Sequence, residues 1–294
     1  MSLMDLVQQL SARLEQAGVC FGHGTTNAFD EAAWLVLWQL GLPLDGLDEA
    51  ADQSINAEQQ AAAHALIEQR ISSRKPAAYL TGEAWLQGVP FFVDERVIVP
   101  RSLIAEPLAD GTLDVWLTFE NSAQTKRVLD LCTGNGSLAV LAALAWPEVQ
   151  VLAADVSTDA LVVAQKNIDR HGLNDRITVH HGDGLAAVTG RFDLILCNPP
   201  YVNRQSMLSL PAEYRAEPAL ALDGNAHGGT DGMDFVRRLL AAVPNFLNPG
   251  GVLVLEVGNE RPHFETAFPR LSAVWLSTSA GDDQVLLLTQ ENFS

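Results

Sequence analysis

Val128-Leu129-Asp130-Leu131-Cys132-Thr133-Gly134-Asn135-Gly136 is an apolar strand pattern running into a glycine turn, and a Leu- and Ala-rich helix pattern follows from Ser137. Strand, tight turn and helix in that order open a βαβ unit. Read alone, Gly134 to Ala139 satisfies G-x-G-x-x-A, the dinucleotide fingerprint. Asp130 argues against that ligand. A carboxylate just ahead of the glycines repels a pyrophosphate and attracts a cation, such as the ammonium and sulfonium of S-adenosylmethionine. Asp130, Thr133, Gly134, Asn135 and Gly136 are therefore the first candidate cofactor residues.

Working downstream, Val151–Ala154, Ile177–His180, Phe192–Cys197 and Val252–Val257 read as further strands with helical segments between them. That alternation predicts a doubly wound parallel sheet, an α/β Rossmann-like fold. Ala273–Ser277 and Gln284–Thr289 lack a clear helix between them and predict an antiparallel pair at the sheet edge. Asp155 closes the second strand, where an acid takes both hydroxyls of a ribose. Asp183 and Gly184 follow the third strand. There the carboxylate is a candidate acceptor for an adenine amino group, with the Gly184 N–H nearby. The carboxyl ends of strands are where such sheets bind ligands.

Phe192–Cys197 stops at Asn198-Pro199-Pro200-Tyr201. Neither proline donates to a sheet ladder, so the chain must leave the sheet there as a stiff loop of acceptors. These parts suit a planar –NH2 group. One hydrogen goes to the Asn198 side-chain oxygen, the other to the Pro199 carbonyl, and the Tyr201 ring lies on the flat face. The loop from Val202 to Gly232 is long for a strand-to-helix connection and predicts a cleft wall or lid.

Upstream, residues 3–17 and 28–40 carry apolar residues at helical spacing, and Asn56 with Gln59 resembles a capping box opening a third helix to about Ser73. Phe91–Val93 and Val97–Val99, separated by Asp94-Glu95-Arg96, predict a hairpin. Arg101 follows it, either reaching the active site and a substrate carbonyl or making a surface ion pair. The expected division is a helical bundle at 1–84, a β-hairpin linker at 85–108 and a catalytic domain at 109–294.

The formal charge of −18 with no basic run longer than two residues argues against a phosphate-tracking groove and towards a neutral or basic partner. Three cysteines with no Cys-x-x-Cys predict a reducing compartment, no disulfide framework and no metal site. No apolar run is long enough for a membrane span and no signal-peptide pattern opens the chain, so a cytoplasmic protein is expected.

Together, the predicted sheet, the glycine turn, Asp155, Asp183 and Asn198–Tyr201 resemble the class I S-adenosylmethionine-dependent methyltransferases. Pro76–Gly82, Val99–Ser102, Glu217–Gly224, Pro249–Gly251 and the helical start narrow the likeness to the HemK family of protein glutamine methyltransferases. Pro100-Arg101-Ser102 is similar to the branch acting on large-subunit ribosomal protein L-three (the PrmB type). The release-factor branch usually carries Pro-Arg-Pro-Asp-Thr-Glu there, and this chain has Leu103-Ile104-Ala105-Glu106 after Ser102. The resemblance implies methyl transfer from S-adenosylmethionine to a glutamine side-chain nitrogen in a protein. Asn198, Pro199 and Tyr201 would then be catalytic. Asn198, Pro199, Pro200, Tyr201 and Arg101 would bind substrate, with Asn198 also bordering the cofactor. A release factor as substrate, a nucleic-acid adenine methyltransferase, a nicotinamide-dependent oxidoreductase and a catalytically silent cofactor-binding scaffold are the competing readings.

Overall fold

The structure, a computed structural model, describes residues 1–116, 126–186 and 188–293. The chain opens with helices α1 (Leu3–Gln16), α2 (Ala28–Leu40), α3 (Leu47–Ala50), α4 (Ala57–Ser73) and α5 (Ala77–Thr81). Ser2, Asn27 and Asn56 each accept from the backbone N–H three residues on, which satisfies an orphan donor at each helix start. The Gln59 side chain returns the bond to Asn56, closing the expected capping box. The apolar stripes of these helices meet in one core around Leu6, Leu10, Val36, Leu37 and Ile67.

The hairpin is not where the sequence pattern put it. Its strands are β1 (Glu83–Leu86) and β2 (Val89–Phe92), in register Glu83↔Phe92 to Leu86↔Val89. The turn is Gln87-Gly88, both at positive φ (49° and 73°), the conformation of a two-residue hairpin turn. The expected partner Val97–Val99 forms no strand. Its valines are buried with Val93 against Ala160 and Val163 of the catalytic portion. Asp94 accepts from the Arg96 backbone and side chain, which turns the chain without a ladder.

Seven strands make the main sheet: β3 (Arg127–Leu131), β4 (Gln150–Asp155), β5 (Ile177–His181), β6 (Phe192–Cys197), β7 (Leu247–Glu256), β8 (Val274–Thr278) and β9 (Gly281–Thr289). Their order is β5-β4-β3-β6-β7-β9-β8. The first five are parallel, and β9 and β8 close the edge antiparallel, as expected. The helices are α6 (Ala105–Ala109), α7 (Ser137–Ala145), α8 (Thr158–Arg170), α9 (Arg204–Ser209), α10 (Ala212–Arg215), α11 (Asp234–Ala242) and α12 (Arg261–Ala267).

Successive strand residues face opposite sides. Val128, Leu194 and Val252 pack with α6 and α7 on one face. Leu129, Ile195 and Leu253 pack with α11 and α12 on the other. From β3 the order runs one way to β4 and β5 and the other way to β6 and β7. That reversal is the switch point at which a doubly wound sheet opens a crevice. Among the described residues no helix is long and apolar enough to cross a membrane.

Candidate active site

A cavity of about 610 Å³ opens at the carboxyl ends of β3, β4, β5 and β6. Its floor is the turn after β3. Cys132 takes φ +62°, an unusual conformation for a residue with a Cβ, and Gly134 and Gly136 take +55° and +81°. The Thr133 N–H donates to Ala154 and the Gly134 N–H to Asp155 Oδ2 (2.9 Å), which fastens the turn to the end of β4. Thr133, Gly134 and Asn135 line the cavity. Gly136 does not. A Cβ there would stand 3.1 Å from the Ala164 Cβ, so this glycine serves the close packing of α7 on α8.

Asp130 is also off the wall. It is 1% exposed, and its Oδ2 accepts from Thr133 Oγ1 (2.5 Å) and the Ala139 N–H (3.0 Å). Burial outweighs these donors and pushes the carboxyl up to about 7. Among the described residues its Oδ1 has no partner, and neither has Nδ2 of Asn135, itself only 3% exposed. Two unsatisfied buried groups beside one turn mark a place where a polar ligand or water completes the bonding.

Asp155 lines the cavity and accepts from the Gly134 and Ser157 N–H groups. Burial holds its carboxyl above the usual range. Asp183 and Gly184 also line it. Asp183 is held by both Nη atoms of Arg238 (3.0 and 3.2 Å), and that arginine keeps the carboxyl low. Phe235, one helical turn before Arg238, presents its ring 3.5 Å from where a Gly184 Cβ would be. Sequence reasoning missed Phe235 and Arg238, because an amphipathic helix carries no local sign of which residue reaches a cavity.

The corner after β6 divides. Asn198 and Pro200 line the cavity, whereas Pro199 is buried and Tyr201 is absent from the wall. Among the described residues nothing in the protein engages the Asn198 side chain. The Tyr201 hydroxyl donates to Glu256 Oε1 (3.2 Å). Its ring packs on Gly258 so closely that a Cβ there would lie 2.6 Å from Cε2. Glu256 also accepts from Ser102 Oγ (2.6 Å) and the Leu103 N–H (2.9 Å), yet burial still raises its carboxyl. Glu260 accepts from the Asn203 N–H and side chain. The end of β7 thus braces the corner from behind. Sequence analysis passed over Glu256, although a carboxylate ending the run Val252-Leu253-Val254-Leu255 was a visible signal.

Arg101 reaches the cavity wall, but its fork is taken. Nη1 and Nη2 donate to Glu217 Oε1 and Oε2 at 2.6 and 2.7 Å. It is neither a free substrate ligand nor a surface pair, since Glu217 is fully buried. The other two wall arginines are paired as well, Arg96 with Asp94 and Arg238 with Asp183. A pyrophosphate would find no unpaired arginine here.

Comparison with known proteins agrees with this geometry. Residues 109–215 match the methyltransferase small domain, and residues 5–82 match the PrmC N-terminal domain. The ribosomal protein uL3 glutamine methyltransferase of Bordetella pertussis is 53% identical over 294 residues, covering 100% of this chain and 96% of that one. The protein of the same name from Burkholderia pseudomallei is 50% identical over 98% of this chain and 94% of its own. The Neisseria meningitidis serogroup B protein is 45% identical over 99% and 93%. Among solved structures, the human Mettl16 catalytic domain in complex with a MAT2A 3′UTR hairpin aligns with a TM-score of 0.52 at 16% identity over 83% of each chain, a likeness of fold. End-to-end identity of this order, together with the braced corner and the β3 turn, means that the chain belongs to the ribosomal protein uL3 glutamine methyltransferase family.

Proposed function

We propose that this chain transfers a methyl group from S-adenosylmethionine to the side-chain amide nitrogen of a glutamine in ribosomal protein uL3. The observation that carries this reading is the Asn198 carboxamide, set on the cavity wall with its hydrogen-bonding capacity unspent. A stiff corner rich in acceptors and poor in donors matches a group that offers two N–H donors. The names of the relatives supply the glutamine and uL3.

The cavity residues fit the cofactor. Asp155 and Asp183 offer acceptors, the Gly184 and Phe235 surfaces offer a flat apolar slot, and the unsatisfied Asn135 amide offers a donor. Asp130, behind the turn, is a buried carboxyl whose charged form a nearby cationic ligand would favour. When bound, S-adenosylmethionine supplies an electrophilic methyl group on a sulfonium. The protein's part is alignment. Asn198 Oδ1 accepts one amide hydrogen of the glutamine; the Pro199 carbonyl, which takes no donor among the described residues although Pro199 itself is buried off the wall, accepts the other. With its hydrogens so held, the nitrogen presents its lone pair to the cavity. Acceptors fixed where positive charge develops stabilise the transition state without reorganising. The product cation is a strong acid and loses its proton to water, so the corner needs no general base. Tyr201 acts from below, as a brace between Pro200 and Glu256.

A nucleic-acid amino group is the competing acceptor. The paired wall arginines and the formal charge of −18 weigh against it. The test is Asn198→Ala assayed with purified uL3 and tritiated cofactor. Turnover is expected to fall about 10²–10³-fold, with cofactor affinity nearly unchanged. Near-normal turnover contradicts the role of Asn198. Label in nucleic acid rather than protein contradicts the acceptor.

A further inference from the structure

The cavity wall beyond the corner is made by Pro218, Ala219, Leu220, Ala221, Asp223 and Gly224. These residues follow shortly after α10, a single helical turn carrying the buried carboxylate Glu213 (2% exposed), and directly after Glu217 (4%), which lies two residues past the end of that turn. Neither carboxylate points at the cavity's reacting end. Glu213 Oε1 accepts from the Cys20 N–H (3.0 Å) and Arg74 Nη1 (3.0 Å), with Arg70 Nη1 at 3.5 Å. Arg70 is itself fully buried and bonded to Glu31 and the Cys20 carbonyl. Glu217 takes the Arg101 fork and the Val99 N–H (2.9 Å), and His23 Nε2 stands 3.5 Å from its Oε2. Between them, the Tyr214 ring packs against His23 at a tilt of 49° (4.3 Å between ring centroids) and lies beneath the Arg101 guanidinium. Gly22 lets the helical portion come this near, since a Cβ there would be 2.4 Å from the Tyr214 hydroxyl.

Burying four charged side chains at one junction, Glu31, Arg70, Glu213 and Glu217, is costly unless each is paired, and here each is. A surface loop with only a connecting role needs no such anchorage. We propose that Glu213 and Glu217 are positioning residues. They dock α10 and the turn after it onto the helical N-terminal portion and the Arg101 segment. Together with the Val202 backbone, which bonds to Leu222 and Gly224, they set where the 218–224 wall stands relative to Asn198. In this arrangement the helical portion is a structural part of the active site, and Arg101 acts through Glu217 rather than on substrate. The inference deepens the glutamine-methylation reading and rests on it for its kinetic arm.

The test uses the full chain with Glu213→Gln, Glu217→Gln and Gly22→Ala. The last of these removes no charge and touches no cavity residue. All three are expected to lower kcat/KM for uL3 about 10–100-fold while the S-adenosylmethionine Kd stays within about threefold. Hydrogen exchange in 211–224 is expected to rise while β3, β6 and β7 keep their protection. If Glu217→Gln does not fold, Glu213→Gln and Arg74→Gln carry the same comparison. Unchanged exchange in 211–224, or cofactor affinity falling in step with kcat/KM, overturns the proposal. If the unaltered chain methylates no glutamine, the proposed function fails instead, and the exchange measurement alone decides whether the junction holds the wall.

Discussion

Asp155 spends both oxygens on backbone donors, the Gly134 and Ser157 N–H groups, and keeps a lone pair on each for a ligand. Asp155→Ala therefore loosens the glycine turn and removes the acceptors together. We expect the S-adenosylmethionine Kd to weaken about 10–100-fold by calorimetry, with much of the turnover regained at saturating cofactor. An unchanged Kd contradicts that assignment. Glu217 gives a prediction in pH. Burial pushes its carboxyl up, but the neighbouring His23 and the Arg101 fork together prevail and hold it at about 2, below the ordinary 4.5. A depressed carboxylate contributes stability that is complete above the unfolded value and is lost as pH falls through the folded one. Glu217→Gln should accordingly be the less stable protein at neutral pH, and the gap should close between pH 4.5 and about 2. A gap in melting temperature that is constant with pH contradicts the pairing. At this scale the sequence was legible for residue type and place in the chain, less so for direction. Asp130 reads as a wall residue because it precedes the glycines, yet Thr133 Oγ1 and the Ala139 N–H hold it beneath them. Tyr201 reads as a ring for the substrate amide, yet its hydroxyl is drawn down to Glu256.

Elements were legible where one period governed them. The strands of the main sheet and the three long N-terminal helices carry apolar spacing that neighbours do not disturb, and their ends carry caps or glycines. The hairpin was not. Val97–Val99 has strand composition, but its valines are buried by contact with α8 instead of by pairing. The pairing signal was Gly88, one glycine in a turn whose first residue, Gln87, is an uncommon one at positive φ. The brace beneath the corner supplies the prediction that belongs here. Gly258→Ala forces a Cβ into the Tyr201 ring and strains a backbone at φ +52°, so the Tyr201–Glu256 contact must shift. We expect turnover on uL3 to fall while cofactor Kd holds. Unimpaired turnover would show that the corner does not depend on its support.

Over the whole molecule, the sheet sets the cavity, the β7 end supports the corner, and the helical portion closes the far wall through α10. The first two follow from a strand order that the alternating pattern implies. The third rests on contacts such as Cys20 to Glu213 and Arg101 to Glu217, far apart in the chain, which no local pattern announces. The charge of −18 leaves the protein suited to a basic or neutral partner, in keeping with a protein substrate. The account stands on one chemical event, transfer of a methyl to a glutamine amide held by Asn198. Its most direct test is fragmentation mass spectrometry of uL3 after incubation with this protein and methyl-deuterated S-adenosylmethionine. One deuterated methyl on a glutamine side-chain nitrogen is expected, its rate of appearance lowered about 10²–10³-fold with Asn198→Ala. A methyl on any other residue type, or equal labelling by the Asn198 variant, would contradict it.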